Sequence, residues 1–515
     1  MSAMKPKNPV GPVLAFLCFV TSWSSAVELG APFRDHAVMQ RDQPLAVWGF
    51  GQPGEAVTVE FRGHSASAIT TADGDWRVRL PALPASAEPA VLRAYGNNTV
   101  EVTDVLTGDV WLASGQSNME WRVEQAADAE REIAAADHPL IRHFDVPNIV
   151  APEPRRTAGG TWVTCSPQTV AKLSAVAYYF AREWQGATDV PVGILNATWG
   201  GTPVESWMSA PTLASDPAFQ PALARWAQTV ADYPAASAAY ETDLAAWERA
   251  DAEVAAQGRE ARAAWRKANA KPRAPRGPGH HWTPAGLYQG MIAPLVPAAI
   301  TGVIWYQAES NADWPEDYGV LFPAMIRQWR AEWGRELPFY FVQIANFRGT
   351  PTDRTPNQWP WLRDAQARAL ALPRTGMAVI IDIGTPENIH PKNKQDVGQR
   401  LALLARRDLL DSRITATGPV FAGAQREGTA LRVTFTAADG LNAGGEALGG
   451  FEVAGADRRF HPAEARIDGA TVVVTAPAVS EPVAVRYAWR NAPVARLKNG
   501  AGLPASPFRS DDWLR

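Results

Sequence analysis

Ser117, His390 and three carboxylates are the residues of this 515-residue chain whose types and placement could carry chemistry. Ser117 lies in the stretch Asp109 to Trp121. Val110–Ala113 is a short apolar run that reads as a buried strand, Gly115 breaks it, and Ser117 comes next in the bend. A hydroxyl exposed at such a bend, with backbone N–H groups beside it, has the geometry acyl transfer needs: a nucleophile next to an oxyanion site. Position 119 is Met, so the pattern differs from the Gly-x-Ser-x-Gly elbow. His390 sits in the polar segment Asn388–Lys394, stiffened by Pro391. A neutral imidazole there can take the Ser117 proton and return it to a leaving alkoxide. Three acids could orient it. Glu387 stands three residues before His390, Asp382 ends the preceding apolar run, and Glu309 lies just past an earlier run.

These residues need a scaffold that gathers them. Five apolar runs, Val110–Ala113, Val192–Thr198, Val303–Gln307, Phe339–Ile344 and Met377–Ile383, alternate with helical patterns. The helices are expected at Leu173–Gln185, Tyr318–Glu332, Arg363–Leu372 and Lys394–Leu409. Strands alternating with helices predict a doubly wound parallel sheet, whose ligands bind beyond the carboxyl ends of the strands. The residues just past the five runs are, in order, Ser117, then Gly200-Gly201-Thr202, then Glu309, Ser310 and Asn311, then Asn346, and last Glu387 and His390. A nucleophile, flexible glycines, a carboxylate, amides and an imidazole thus converge on one sheet edge.

On either side the chain reads as β-structure. Residues 27–104 hold short alternating runs punctuated at Gly51–Gly54, Asp73–Asp75 and Gly96–Asn98, the pattern of a β-sandwich. Residues 412–515 read as a second β-rich region with strands near Leu431–Phe435, Phe451–Val453, Thr471–Thr475 and Val483–Ala488. Residues 105–411 form the catalytic domain, interrupted by an insertion at 210–281. The core of the insertion, Ala235–Ala270, is rich in Ala, Glu and Arg and predicts a helical hairpin with a charged outer face.

Residues 1–26 read as a signal peptide: Lys5 and Lys7, an apolar Val10–Val20, then Ser24-Ser25-Ala26 for cleavage. Its removal would leave 47 Lys and Arg against 53 Asp and Glu and a single cysteine, Cys165, so no internal disulfide. Such a chain fits a bacterial periplasmic or secreted route. The sequence holds no basic run of the kind that binds nucleic acid and no second apolar stretch suited to a membrane span. No cofactor is expected. The doublet His280-His281 has no third ligand at metal-binding spacing, so no metal site is expected either. Of the 21 tryptophans, Trp199 and Trp305 read as sheet core, while Trp282, Trp314, Trp359 and Trp361 fall in loops where they could stack on sugar rings.

Gly115–Met119, Trp199–Pro203, Trp305–Asn311 and Asn388–Lys394, in that order, resemble the sialate O-acetylesterase family of the SGNH hydrolase superfamily, whose bacterial members include carbohydrate acetylesterases acting on plant polysaccharides. The resemblance runs from about residue 28 to 512 and includes Tyr487–Trp489 and Gly502–Phe508. It implies an SGNH-type α/β fold, Ser117 as nucleophile and His390 as base. It also implies Gly201 and Asn311 as oxyanion-hole donors together with the Ser117 amide. The family usually carries Gly where Ala308 stands. SGNH enzymes commonly place Asp where this chain has Glu387, and the family motif carries an acid at Glu309. Glu309 and Asp382 therefore rank above Glu387, and a dyad oriented by a backbone carbonyl is an alternative. Gln116, Trp282 and Trp314 are candidate substrate contacts. The expected function is an exported serine esterase that removes O-acetyl groups from a sugar, sialic acid or a unit of xylan or xyloglucan, through an acyl-enzyme. A non-catalytic carbohydrate-binding protein is the alternative from another class. A lipase would need an apolar lid, for which the 210–281 insertion is too polar.

Overall fold

The structure is a computed structural model that describes residues 26–348 and 358–513, so residues 1–25 of the expected signal peptide lie outside the described residues. Its centre is a sheet in which six strands run parallel, in the order His138–Asp145, Val192–Thr198, Thr99–Gly115, Gly302–Tyr306, Phe339–Val342 and Thr375–Ala378. Trp162–Cys165 adds an antiparallel edge next to His138–Asp145. All five expected runs form strands of this sheet, two of them shorter than the apolar runs, ending at Val342 and Ala378.

Alternation explains why these runs are apolar throughout. Trp111 and Ala113 point into one layer, against Val176–Ala181 of helix Ala175–Thr188 and Val397–Ala405 of helix Gln395–Leu409. Val110 and Leu112 point into the other, against Tyr318–Trp329 of helix Pro315–Trp333 and Leu362 of helix Gln358–Ala367. A strand covered on both faces has no polar side to show. The central strand has one neighbour from later in the chain on each side, the reversal of strand order beyond which ligands bind in such sheets. Ser117 lies immediately beyond its end.

Thr99–Gly115 is a single strand of seventeen residues. Its first half pairs antiparallel with Ser86–Tyr95, and its second half joins the parallel sheet. The expected boundary at 104/105 therefore falls inside a strand, and the N-terminal β-structure is continuous with the catalytic sheet. Facing it is a three-stranded sheet, Glu28–Leu29, Leu45–Phe50 and Asp75–Leu80. The C-terminal region forms two four-stranded sheets packed around Leu431, Val433, Phe451, Val474, Val485 and Phe508, with Ile381 of the catalytic domain in the same core. The insertion is a hairpin of helix Gln220–Ala255 and helix Arg259–Ala268. Trp247 against Trp265 and Asp251 bonded by Arg262 and Arg266 hold it together. Cys165 is buried, and burial pushes its thiol up to about 12, which leaves it unreactive. Among the described residues no helix is long and apolar enough to cross a membrane.

Gly115 is the tightest point of the central strand. Its φ is +137°, and a Cβ there would stand 2.1 Å from the carbonyl oxygen of Tyr306 on the neighbouring strand. Gly115→Ala is expected to lower the free energy of unfolding by about 2–4 kcal/mol, the combined cost of backbone strain and overpacking. Urea denaturation measures this, and an unchanged midpoint would contradict the described packing.

Candidate active site

Ser117 begins the short helix Ser117–Glu120, with Gln116 in extended conformation before it. Its Oγ is 2.9 Å from His390 Nε2, a distance at which the hydroxyl donates to a neutral imidazole. The two residues are 273 positions apart and meet because both come after strands at the same sheet edge. Trp121 stacks on the imidazole at 4.9 Å between ring centroids and 19° between planes. Asn388 Oδ1 accepts the His390 backbone N–H at 2.9 Å. Burial first, and then the nearby Lys394 ammonium, hold the imidazole below its ordinary value of 6.5.

The loop after Val192–Thr198 closes over the serine. A Cβ on Gly200 would lie 3.2 Å from Ser117 Cβ and 2.9 Å from Glu120 Oε2, so only glycine lets the loop come this near. The Gly200 N–H is taken by Glu120 Oε2 at 2.7 Å. The Ser117 and Gly201 amides donate to no acceptor among the described residues. Asn311 is fully buried and largely committed. Its Oδ1 accepts from Val204 N at 2.9 Å and Gln307 Nε2 at 2.8 Å, and its Nδ2 donates to Glu205 Oε2 at 2.9 Å. One amide hydrogen of Asn311 is left for any further role, so its main effect is to tie the 202–205 loop to the end of Gly302–Tyr306. Gln116 Oε1 accepts from Ser310 N at 3.2 Å, which fixes the serine turn to the same segment. Ala308, where a glycine was expected, has φ 166°, extended backbone that alanine adopts freely.

None of the three expected acids is hydrogen-bonded to His390. Asp382 is held by Arg400 at 2.6 and 3.0 Å and by Lys498 at 3.0 Å, which fasten the last strand to a helix and to the C-terminal region. Its expected place beside the imidazole is thus corrected to a structural ion cluster. Glu387 is largely exposed and pairs with Arg348 at 3.2 Å. Glu309 reaches the dyad through a neighbour: Asn118 Nδ2 donates to Glu309 Oε1 at 2.6 Å and to the Ile389 carbonyl at 3.0 Å.

Residues 107–240 and 255–406 match the family described as carbohydrate esterase, sialic acid-specific acetylesterase. The chain belongs to this family. It is 30% identical to the sialate O-acetylesterase of Mus musculus over 453 residues, 80% of each chain. It is 29% identical to that of Rattus norvegicus over 468 residues, 81% of this chain and 80% of the relative. A solved carbohydrate acetylesterase from Xanthomonas citri is 40% identical, with a TM-score of 0.79, covering 95% of this chain and 100% of that one. The protein is a carbohydrate O-acetylesterase.

Two of the four tryptophans expected in loops lie near the esterase's site. Trp282 Nε1 donates to the Gly201 carbonyl at 2.6 Å, and Trp314 precedes helix Pro315–Trp333. The other two do not reach it. Trp359 is buried in a helix with its Nε1 on the Ala345 carbonyl, and Trp361 packs on Trp489 and Arg509 of the C-terminal region. His281 lies against Trp199 and His280, and burial pulls its imidazole down to about 4.

Sequence reasoning missed Lys394. It is fully buried, and its Nζ donates to Asn118 Oδ1 at 2.5 Å. Burial lowers its ammonium to about 7 against the opposing pull of Glu309, whose own carboxyl is raised by burial. The sequence signal was a lysine at the start of an amphipathic helix, one turn after His390. In native esterase the His390 imidazole is expected to titrate below 6.5 by NMR, with the midpoint moving upward in Lys394→Met as the repelling charge is removed. A native midpoint above 6.5, or no movement in the variant, would contradict this electrostatic description.

Proposed function

We propose that this carbohydrate esterase is an SGNH-type serine enzyme that deacetylates an O-acetylated sugar through an acetyl-Ser117 intermediate. The observation that carries the reading is the 2.9 Å contact between Ser117 Oγ and His390 Nε2 at the strand-order reversal of a doubly wound sheet. Ser117 Oγ attacks the acetyl carbonyl carbon while its proton passes to His390 Nε2. The carbonyl π bond opens to an oxyanion received by the Ser117 and Gly201 amides, with the remaining Asn311 N–H as a third donor. The intermediate collapses, the bond from the acetyl carbon to the sugar oxygen breaks, and that oxygen takes the proton from Nε2. Water then repeats the sequence: it gives a proton to His390, attacks the acetyl carbon, and releases acetate and free Ser117.

The base needs orientation as well as basicity. Trp121 stacking, the Asn388 side chain and the Asn118 bridge from Glu309 to Ile389 supply it, so Glu309 acts as a positioning residue through Asn118. The substrate is a sugar of a glycan. The rodent relatives are named for sialate and the Xanthomonas enzyme for carbohydrate. Both a sialic acid and a plant polysaccharide unit are consistent with the family. The leader pattern at residues 1–26 supports export to the periplasm or beyond.

Ser117→Ala is expected to lower kcat/KM on 4-nitrophenyl acetate by about 10³-fold or more with an unchanged far-UV spectrum. Near-native turnover would remove Ser117 as nucleophile. Glu309→Gln is expected to cost more kcat than Glu387→Gln. Asp382→Asn should show mainly as lost stability, about 3 kcal/mol, because it strands Arg400 and Lys498 near the interior. A dominant kcat loss at Glu387 would reverse this assignment.

A further inference from the structure

The insertion helix Gln220–Ala255 encloses a cavity of about 310 Å³ beside the site, within the size range of small-ligand sites. Three half-buried tryptophans face it: Trp226 from the insertion helix, Trp282 from the segment that returns to the sheet, and Trp314 from the loop after Asn311. The cavity adjoins the acetyl-transfer centre on two sides. Trp282 is bonded to the Gly201 carbonyl, and the lining carboxylate Glu205 is bonded to Asn311.

Three aromatic faces around a small open cavity suit the C–H faces of a pyranose ring. The charged lining groups are balanced and already engaged. Arg225 pairs with Asp317 at 2.6 Å and lies over the Trp314 ring at 4.4 Å, and Arg276 lies over the Trp282 ring at 3.4 Å. Asp232 accepts from Gln228 at 2.8 Å. The lining thus holds two guanidiniums and the carboxyl groups of Glu205 and Asp232, with Asp317 paired to Arg225, which leaves no surplus positive charge for an anionic sugar.

We propose that this cavity is a subsite for an uncharged pyranose adjoining the acetylated unit, so that the esterase takes neutral acetylated oligosaccharides and the insertion selects them. The proposal rests on the esterase reading for the identity of the neighbouring centre, but its ligand is tested by binding alone. Calorimetric titration of the full-length protein with unacetylated xylotetraose, a neutral probe, is expected to give measurable binding. Trp226→Ala should weaken it about tenfold, equivalent to about 1.4 kcal/mol, and Trp226→Phe should retain most of it. The ratio of kcat/KM on acetylated xylo-oligosaccharide to that on 4-nitrophenyl acetate should fall by a similar factor in Trp226→Ala. Equal affinity in native and Trp226→Ala protein would overturn the subsite. Tighter binding of a glucuronate-substituted xylo-oligosaccharide or of sialic acid than of xylotetraose would overturn its neutral character. Failure of the esterase reading would appear elsewhere, as absent turnover of 4-nitrophenyl acetate by the native protein with xylotetraose binding intact.

Discussion

The side-chain amide of Asn118 is the junction on which the site depends. It is one residue past Ser117, almost fully buried, and bonded on both ends. Its Nδ2 spans Glu309, 191 residues away, and the Ile389 carbonyl, 271 residues away, while its Oδ1 receives Lys394. A planar amide with donors and acceptor in fixed directions leaves these partners little freedom relative to one another. The serine turn, the end of the neighbouring strand and the histidine loop are therefore held in one register, and the Ser117–His390 contact is a consequence of it. Gly115 lying on the Tyr306 carbonyl and Gln116 receiving the Ser310 amide hold the same turn from the other side. The sheet supplies the edge, and this small set of polar contacts supplies the precision within it.

Much of this arrangement was legible because burial leaves a periodic record. The five runs read from the sequence form strands that are apolar on both faces, and the four that end at Gly115, Thr198, Tyr306 and Ala378 lead toward Ser117, Gly201, Asn311 and His390. The features that the pattern hid had physical reasons. His138–Asp145 went unread because Arg142 and His143 interrupt its apolar character, although Arg142 is buried against Asp104 and His143 against Asp145. The boundary near residue 104 was misread because Thr99–Gly115 changes its surroundings midway. Its alternation turns into an unbroken apolar run where helices cover the sheet, and that change of period looks like a break in the chain. The acids were illegible in another way. Spacing from His390 cannot reveal that Asp382 is claimed by Arg400 and by Lys498, the latter 116 residues on. Trp359 and Trp361 looked like loop residues because nothing local announces the helix they share or the C-terminal sheets that cover Trp361.

Among the described residues no carboxylate is hydrogen-bonded to His390, which raises the question of what stabilises an imidazolium when it forms. The charge that acts on it is Lys394, which is joined to Glu309 through Asn118. Burial pushes both toward their neutral forms, yet the hydrogen bonds run the other way. Asn118 donates to a carboxylate and accepts from an ammonium, the polarity that favours the ionised pair. Moving the proton from lysine to glutamate would leave the net charge of the pair at zero in either form, so the two groups titrate as a unit. Burial first, and then the Lys394 ammonium, hold the imidazole in its neutral form, ready to accept a proton. Such a base is weak in the ground state. In the proposed mechanism, an oxyanion received by the Ser117 and Gly201 amides would be the counter-charge that the imidazolium lacks at rest. Under that mechanism the developing negative charge of the substrate would take the part of an orienting acid, so the imidazolium would be stabilised chiefly in the step that needs it.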